Sequence, residues 1–379
     1  MQQQSGCNRR EFLHVAGMAS AALLVADAAG RAVEAAPPAI SLDECVSLTP
    51  DQVAERSAIV RDAWGYLQKT VASVKDDGIR TTTQGILANP APTFMARMSD
   101  GGTKRAVWQE LTTRGYLKDA PVEAFLPPVS NVTRSEFSFL AAPGSGYGSH
   151  HAYPGGLVTH TALNLKVSLA LWQSYWDIDQ LMLDRDVVIA SQTLHDLLKP
   201  WVFQWEPNRQ SRTEHPLAGT GEHHPLSVAE GIHRGLPAAV CVAQACAHTH
   251  PGTPKDEAEP VAWLNTAGVL LGIDPKATGL LAASGDTLPL PRRIENFVCY
   301  LGDHDYVISV PAAQWMIPLM KTIAAERYGL SGVDLSGKPF NAFRNYVFAQ
   351  STIMGLYQIY TTQGREALVG VVGGLVARA

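Results

Sequence analysis

Three histidines lie within thirteen residues of one turn, in the stretch SHHAYPGGLVTHT at residues 149–161. The 379-residue chain contains only 12 histidines, so a quarter of them fall around this Pro-Gly-Gly sequence. Imidazole is the commonest protein ligand for transition metals and also an acid or base near neutral pH. The stretch therefore indicates a chemical site, with His150, His151 and His160 as its first candidates.

An adjacent His195-Asp196 pair follows within VVIASQTLHDLLKPW. A carboxylate on such an apolar helix is costly to bury unless it is paired or bound to a metal. Because Pro200 disfavours helical geometry at Lys199, this helix is predicted to stop there. More imidazole and carboxylate groups follow in GEHHPLSV, AHTHPG and YLGDHDYV, namely His223, His224, His248, His250, Asp303, His304 and Asp305.

Helices must position these groups, since little of the sequence alternates with the period of two that a half-buried strand requires. The predicted helices span 157–176, 184–198, 224–234, 237–248, 258–271 and 291–309. One helix directs only one or two ligands inward, so a divalent metal site in a helical bundle needs ligands scattered along the chain. The chain contains no HExxH and no CxxC, which disfavours a zincin or a zinc ribbon. The predicted fold class is all-α.

Helices are also expected on both sides of this region. Thr49-Pro50-Asp51 is typical of a helix start, with an N-cap followed by proline at the first helical position. The final apolar run is interrupted by glycines and is too short for a stable membrane anchor. The predicted parts are a signal peptide (1–35), a helical N-terminal region (36–140), a metal-binding domain (141–310) and a C-terminal helical extension (311–379).

The first 35 residues have the layout of an export signal. Arg9-Arg10 begins a pattern that resembles the twin-arginine signal, which directs the export of already folded proteins. The apolar stretch from Val15 to Ala26 is too short to span a bilayer as an anchor, and small residues suit cleavage near Ala35-Ala36. An ordinary N-terminal helix is the alternative. We expect a periplasmic or otherwise exported protein that uses the twin-arginine export machinery.

Composition excludes some classes of partner. With a net charge of −5 the chain has no basic footprint, so no nucleic-acid partner is expected. Removal of the signal would leave four cysteines, which form one of three sets of disulfides or remain as buried free thiols. These cysteines are Cys45, Cys241, Cys246 and Cys299.

The order of His160, then His195-Asp196, then a late aspartate resembles the HD-domain superfamily of metal-dependent phosphohydrolases. HHAYPGGLVTHT followed by LHDLLKP is especially similar to the branch that contains HD-type exoribonucleases and related hydrolases. The resemblance covers roughly 145–310, and Leu198 replaces the glycine common in the family's HD-x-G-K turn. It implies an HD-domain-like helical bundle around one or two divalent ions, which could be Mn, Fe, Mg, Ni or Zn.

The resemblance also implies a set of metal ligands, among which Asp196 would bridge two ions. The implied ligands are His160, His195, Asp196, His224, His248 and Asp303. Three of them have a neighbour of the same type, and we prefer His224 to His223, His248 to His250 and Asp303 to Asp305. His150 and His151 would line the mouth of the site and contact the substrate or the ligands, unless they are only solvated loop residues.

Asp196 and Lys199 are the catalytic candidates. Lys199 could meet phosphate oxygens as a point charge, or it could be a solvated lysine at a helix end. The predicted function is that of an exported metal-dependent phosphohydrolase acting on a nucleotide or another small phosphoester. One alternative is a di-iron oxygenase that cleaves C–C or C–P bonds with dioxygen. The other is a module that binds a metal or ligand without catalysis.

Overall fold

The computed structural model describes residues 38–253 and 255–378, and most of these residues are helical. The all-α prediction is confirmed. The α-helices are α1 (Leu42–Ser47), α2 (Pro50–Arg56), α3 (Ala58–Ala72), α4 (Asp77–Ala88), α5 (Gly101–Thr113), α6 (Gly156–Asp179), α7 (Arg185–Leu194), α8 (Lys199–Val202), α9 (His223–His233), α10 (Ala238–Ala245), α11 (Ala258–Leu271), α12 (Ile294–Gly302), α13 (Tyr306–Tyr328), α14 (Lys338–Ser351), α15 (Ile353–Gln363) and α16 (Arg365–Leu375). The predicted signal peptide at 1–35 lies outside the described residues.

A short hairpin interrupts the helices between α8 and α9. Its strands, β1 (Pro216–Leu217) and β2 (Thr220–Gly221), pair antiparallel. Short 3₁₀ helices also occur at Thr93–Met98 and Gly332–Leu335. The hairpin brings the chain directly to the first residue of α9, His223.

Local chemistry explains several helix starts. Thr49 and Gln52 form a reciprocal capping box at the start of α2, with Pro50 at the first helical position, as the sequence predicts. The carboxylate of Asp184 accepts hydrogen bonds from two backbone N–H groups in the first turn of α7. These caps fix where α2 and α7 begin. The cap at Asp184 also helps to set the register of α7, the helix that leads to His195.

The buried apolar side chains form two clusters. The first extends from Ala54 to Leu288 and joins residues before position 140 to those of α6, α7, α9, α10 and α11. The second joins α1 to the helices from α13 to the end of the described chain. All four cysteines of the predicted mature chain are buried free thiols. The proposed boundaries at 141 and 310 stay a prediction.

Several helices differ from their predicted bounds, and three of the differences concern candidate site residues. The helix predicted at 237–248 ends at Ala245, three residues before His248. The helix predicted at 184–198 ends at Leu194. His195 and Asp196 both lie in the turn that follows it, at residues 195–198. Neighbouring residues of an α-helix point about 100° apart, so leaving the helix allows both side chains to face one point. Leu198 adopts φ −99° and ψ 7°, a conformation open to residues other than glycine.

The helix predicted at 291–309 is divided into α12 and α13. A Cβ atom at Gly302 would lie 1.9 Å from Oγ of Ser168, so α12 and α6 approach each other closely at this glycine. The stretch Ile294–Tyr328 is long and apolar enough by composition to cross a bilayer. Asp303 and Asp305 interrupt it and contact buried histidines, so we describe it as two helices of the folded domain.

Candidate metal centre

Four side chains from three places in the fold meet in the interior. His160 lies one turn into α6, His195 and Asp196 lie in the turn after α7, and Asp303 lies in the break between α12 and α13. All four side chains are buried. Because α6 packs against both α7 and α12, the three segments are held side by side.

The two histidine Nε2 atoms lie at almost equal distances from each other and from one oxygen of each carboxylate. Nε2 of His160 lies 3.2 Å from Nε2 of His195, 3.2 Å from Oδ2 of Asp196 and 3.3 Å from Oδ1 of Asp303. Nε2 of His195 lies 3.1 Å from the same Asp196 oxygen and 3.2 Å from the same Asp303 oxygen.

This spacing fits a shared cation. Ligands about 2.1 Å from one ion, at angles between 90° and tetrahedral, are separated from each other by about 3.0–3.4 Å. Two imidazole nitrogens and two carboxylate oxygens are also a donor set that suits Mn, Fe or Zn. The structure thus brings together four of the residues that the resemblance implies as ligands, and their role as ligands stays a prediction.

Other atoms face the outer side of the two carboxylates. Oδ1 of Asp196 lies 3.4 Å from Nε2 of His223, and Oδ2 of Asp303 lies 3.1 Å from Nε2 of His248. Ligand atoms of Asp196, His223 and His224 lie within 4.8 Å of one another. Among the described residues, the buried Nε2 of His224 has no hydrogen-bond partner, as expected for a nitrogen that awaits a ligand.

Asp196, His223 and His224 thus form a second group of side chains that could hold an ion. The geometry brings both His223 and His224 to Asp196, so the preference between them stays a prediction. His248 faces Asp303, whereas His250 packs against Phe297 and Tyr300. The His248 side chain is 32% exposed, which places an opening of the site on its side.

Three histidines have a fixed partner on their other ring nitrogen. Nδ1 of His195 lies 2.8 Å from the carbonyl oxygen of Gln192, and Nδ1 of His223 lies 2.5 Å from a Glu214 oxygen. Nδ1 of His224 lies 2.8 Å from Oγ1 of Thr220. Such contacts orient metal-binding imidazoles and leave Nε2 free for the ion.

Lys199 is buried, not solvated. Its ammonium group lies 2.5 Å from Oδ2 of Asp196 and donates to the carbonyl oxygen of Gly144 at 2.6 Å. Its side chain is 7% exposed. Lys199 therefore ties the His195-Asp196 turn to the loop that carries His150 and His151.

That loop places its two histidines beside His160 and Asp305. Nε2 of His151 lies 2.7 Å from Oδ2 of Asp305, and Nδ1 of His160 lies 3.2 Å from Oδ1 of the same carboxylate. The His150 ring lies 4.8 Å from the His151 ring and 6.4 Å from the His160 ring, measured between centroids. Asp305, the aspartate not preferred as a metal ligand, thus contacts two site histidines.

The electrostatics divide the histidines into two groups. Burial lowers the pKa of His195, but the Asp196 and Asp303 carboxylates outweigh it and raise this pKa to about 9. Burial also lowers the pKa of His160, but the nearby carboxylates, Asp305 first among them, outweigh it and raise this pKa well above its usual value. Burial lowers the pKa of His248 to about 4 and also lowers that of His224. His224 and His248 are therefore neutral near pH 7, the form of imidazole that binds an ion.

The carboxylates are kept ionised in spite of their burial. Burial raises the pKa of Asp303, but His195 and His160 outweigh it and hold the pKa below its usual range. Burial also raises the pKa of Asp196, but His195 and Lys199 outweigh it and hold this pKa well below its usual range. A cation that entered the site would replace protons on His160 and His195 as the partner of these carboxylates.

Some contributors have no signal in the sequence. Glu214 supports His223 from nine residues away, across the β1–β2 hairpin. Asn164 follows His160 by one helical turn, and its amide donates a hydrogen bond to Asp303. The helical spacing of Asn164 is visible in the sequence, but its contact with Asp303 depends on tertiary packing.

The comparisons with known proteins give one partial similarity. A dihydroneopterin 2′,3′-cyclic phosphate phosphodiesterase of Methanocaldococcus jannaschii is 31% identical over 91 residues. The match covers 24% of this chain and 36% of that relative, so the chain spans little more than a third of the relative's length. No protein-family model matches the chain, and no solved structure matches it. The similarity to a phosphodiesterase agrees with a hydrolase that has a helical fold and clustered His and Asp groups.

Proposed function

We propose that this protein is a metal-dependent phosphohydrolase that hydrolyses a nucleotide or another small phosphoester. The observation that carries the proposal is that Nε2 of His160 and of His195 lie 3.1–3.3 Å from each other and from one oxygen each of Asp196 and Asp303. The similarity to a phosphodiesterase supports the class of reaction. The outer set of His223, His224 and His248 supports a second ion.

Bound divalent ions would lower the pKa of a water molecule and stabilise negative charge on a phosphoryl group. Asp196 and Asp303 would be shared between two such ions, because one oxygen of each faces His160 and His195 and the other faces an outer histidine. Lys199 adds a positive charge to the site, and its ammonium group contacts the Asp196 carboxylate and the carbonyl oxygen of Gly144. A phosphate oxygen close to Asp196 would find this ammonium group already oriented.

The substrate class includes cyclic phosphodiesters. The printed name of the relative specifies a 2′,3′-cyclic phosphate, and its similarity to this chain is partial. We therefore propose that nucleoside 2′,3′-cyclic phosphates be tested together with linear diesters and monoesters. His150 and His151 are the proposed substrate contacts on the His160 side of the site.

The first test measures phosphoester hydrolysis by the protein with Mn²⁺ over that panel of compounds. We expect turnover of at least one compound and a loss of about a thousand-fold or more in kcat/KM for Asp196→Ala. Asp177→Ala, an exposed carboxylate on α6, is the matched control and should keep full activity. If the wild type hydrolyses nothing but consumes dioxygen with iron bound, the oxygenase replaces the proposal. Binding of a ligand without turnover would identify the non-catalytic module.

Export is a separate proposal that rests on the sequence at 1–35. We propose that the Arg9-Arg10 pair directs the folded, metal-loaded protein to the twin-arginine machinery and into the periplasm. Cell fractionation of the wild type and of a variant with both arginines changed to lysine tests this. The proposal requires that the wild type be outside the cytoplasm and the variant inside it.

A further inference from the structure

His150, His151 and Asp305 lie beside the centre and are not among its proposed ligands. Their ligand atoms, with those of His160, lie within 4.8 Å of one another. The cluster has three imidazoles around one carboxylate, a donor set that suits Mn²⁺, Fe²⁺ or Zn²⁺. We propose that His150, His151 and Asp305 form an additional subsite for a divalent transition-metal ion.

The ring nitrogens are arranged as in a metal site. Nδ1 of His150 lies 2.7 Å from Oγ of Ser149, which leaves Nε2 without this partner. Nδ1 of His151 lies 3.5 Å from the hydroxyl of Tyr153, which is itself 3.0 Å from Oγ1 of Thr159. Each imidazole thus has a hydroxyl group on the Nδ1 side, so Nε2 is the nitrogen that each ring would present to an ion.

Asp305 supplies the anionic ligand without giving up its contact with the neighbouring centre. Its Oδ1 lies 3.2 Å from Nδ1 of His160, whose Nε2 belongs to the four-atom set. Its Oδ2 lies 2.7 Å from Nε2 of His151, a hydrogen-bond distance. An ion bound between these two atoms would replace the hydrogen bond. The distance between Nε2 of His151 and Oδ2 of Asp305 would then increase to about 3.0–3.4 Å.

Access and rigidity also fit the subsite. His150 and Asp305 are partly exposed, so an ion has a route from solvent. Three protein ligands leave coordination positions for water or for a substrate group. The backbone N–H of His151 donates to Oγ of Ser145, and Arg344 donates to the carbonyl oxygens of Tyr147 and Ala152. These contacts hold the loop in place in the structure without an ion.

The rival interpretation is a hydrogen-bonded chain from His151 through Asp305 to His160, with no ion. Both interpretations make Asp305 important, but only the cation subsite changes the number of ions bound. His150 separates them best, because its ring nitrogen Nδ1 bonds Ser149 and its ring meets His160 only edge to face, with the centroids 6.4 Å apart.

The experiment is equilibrium dialysis of the full chain against Mn²⁺, followed by measurement of manganese per chain. We expect His150→Ala to bind one ion fewer than the wild type, and His233→Ala, at the exposed end of α9, to bind as many. In the Asp196→Ala background, His150→Ala should again remove one ion. Circular dichroism and thermal unfolding check the fold of each variant, and His150→Asn replaces His150→Ala if that variant fails to fold.

An equal manganese content and affinity in the wild type and both His150 variants would overturn the subsite in favour of the hydrogen-bonded chain. The measurement uses no substrate, so it is independent of the proposed phosphohydrolase activity. A protein that hydrolyses phosphoesters but shows no loss of ions in the His150 variants would retain the proposed function and lose this subsite.

Discussion

At the scale of single residues, the site depends on which nitrogen each imidazole presents. His195, His223 and His224 each have a partner at Nδ1, and the partners are a carbonyl, a carboxylate and a hydroxyl oxygen respectively. A carboxylate partner makes an imidazole a stronger ligand than a neutral partner does. Glu214 therefore has the largest expected influence on metal binding among these partners.

Glu214→Gln tests that influence. The variant keeps the size of the side chain but removes the negative charge 2.5 Å from Nδ1 of His223. We expect Mn²⁺ affinity to fall about 10–100-fold, measured by titration of the metal-free protein. Glu206→Gln, an exposed neighbour in the same loop region, should leave the affinity unchanged. Equal affinities for Glu214→Gln and the wild type would remove Glu214 from the support of the site.

The sequence could indicate residues whose own type carries the chemistry. His160, His195 and Asp196 stand out because imidazole and carboxylate groups on apolar segments require an explanation. Glu214 does not stand out, since a glutamate in a polar loop is ordinary until the hairpin returns it to α9. The choice between His223 and His224 could not be made from sequence because both adjacent rings reach Asp196 in the folded chain.

At the scale of elements, the turn before α6 determines where His160 lies. Gly155 has φ +86°, and a Cβ there would lie 2.4 Å from a Val60 methyl group. A Cβ at Gly156 would lie 1.9 Å from the carbonyl oxygen of His151. Gly155 thus permits the close approach of α3, and Gly156 permits the loop of His150 and His151 to pass directly over the start of α6.

Gly156→Ala should displace this loop from α6. We expect the free energy of unfolding to fall by about 1–3 kcal/mol, as in other overpacked sites, and Mn²⁺ affinity to fall with it. Thermal unfolding and manganese titration measure the two effects. Gly148→Ala is the control, because a Cβ at Gly148 meets no atom within 4 Å. If the two variants behave alike, close packing at Gly156 is not what positions His160.

Helix types could be predicted from the sequence, but the helix ends in the site could not. Local signals place the start of α2, where Thr49 and Pro50 act through their own backbone neighbours. The break after Gly302 lies where α12 approaches α6 closely, a contact between segments distant in sequence, and no local breaker precedes the end of α7 at Leu194. Both unpredicted ends are also the points where buried carboxylates turn toward the histidines.

At the scale of the whole molecule, the centre links stability to pH. The pKa of His195 is raised from 6.5 to about 9 in the folded protein by its carboxylate neighbours. A raised pKa contributes stability below pH 6.5, and this contribution is lost as the pH rises through about 9. The contribution of this one residue corresponds to about 3 kcal/mol.

We therefore expect the melting temperature of the metal-free protein to fall between about pH 6.5 and 9. With Mn²⁺ bound, the ion and not a proton neutralises the carboxylates, so the fall over this range should be smaller. Thermal unfolding across this pH range, with and without Mn²⁺, measures both curves. His195→Gln without metal should also show a flatter curve, and a curve as steep as that of the wild type would refute the assignment to His195.

Arg344 shows that the site depends on a part of the chain beyond the residues proposed to bind metal or substrate. This guanidinium group, fully buried on α14, holds the loop of His150 and His151 through two backbone carbonyls and stacks on Tyr147 and Phe348. A protein shortened to 141–310 would keep all the proposed ligands and lose this support. A gene formed by recombination between relatives would therefore have to retain α14 together with the histidines. This holds although α14 contributes no ligand of its own to the proposed centre.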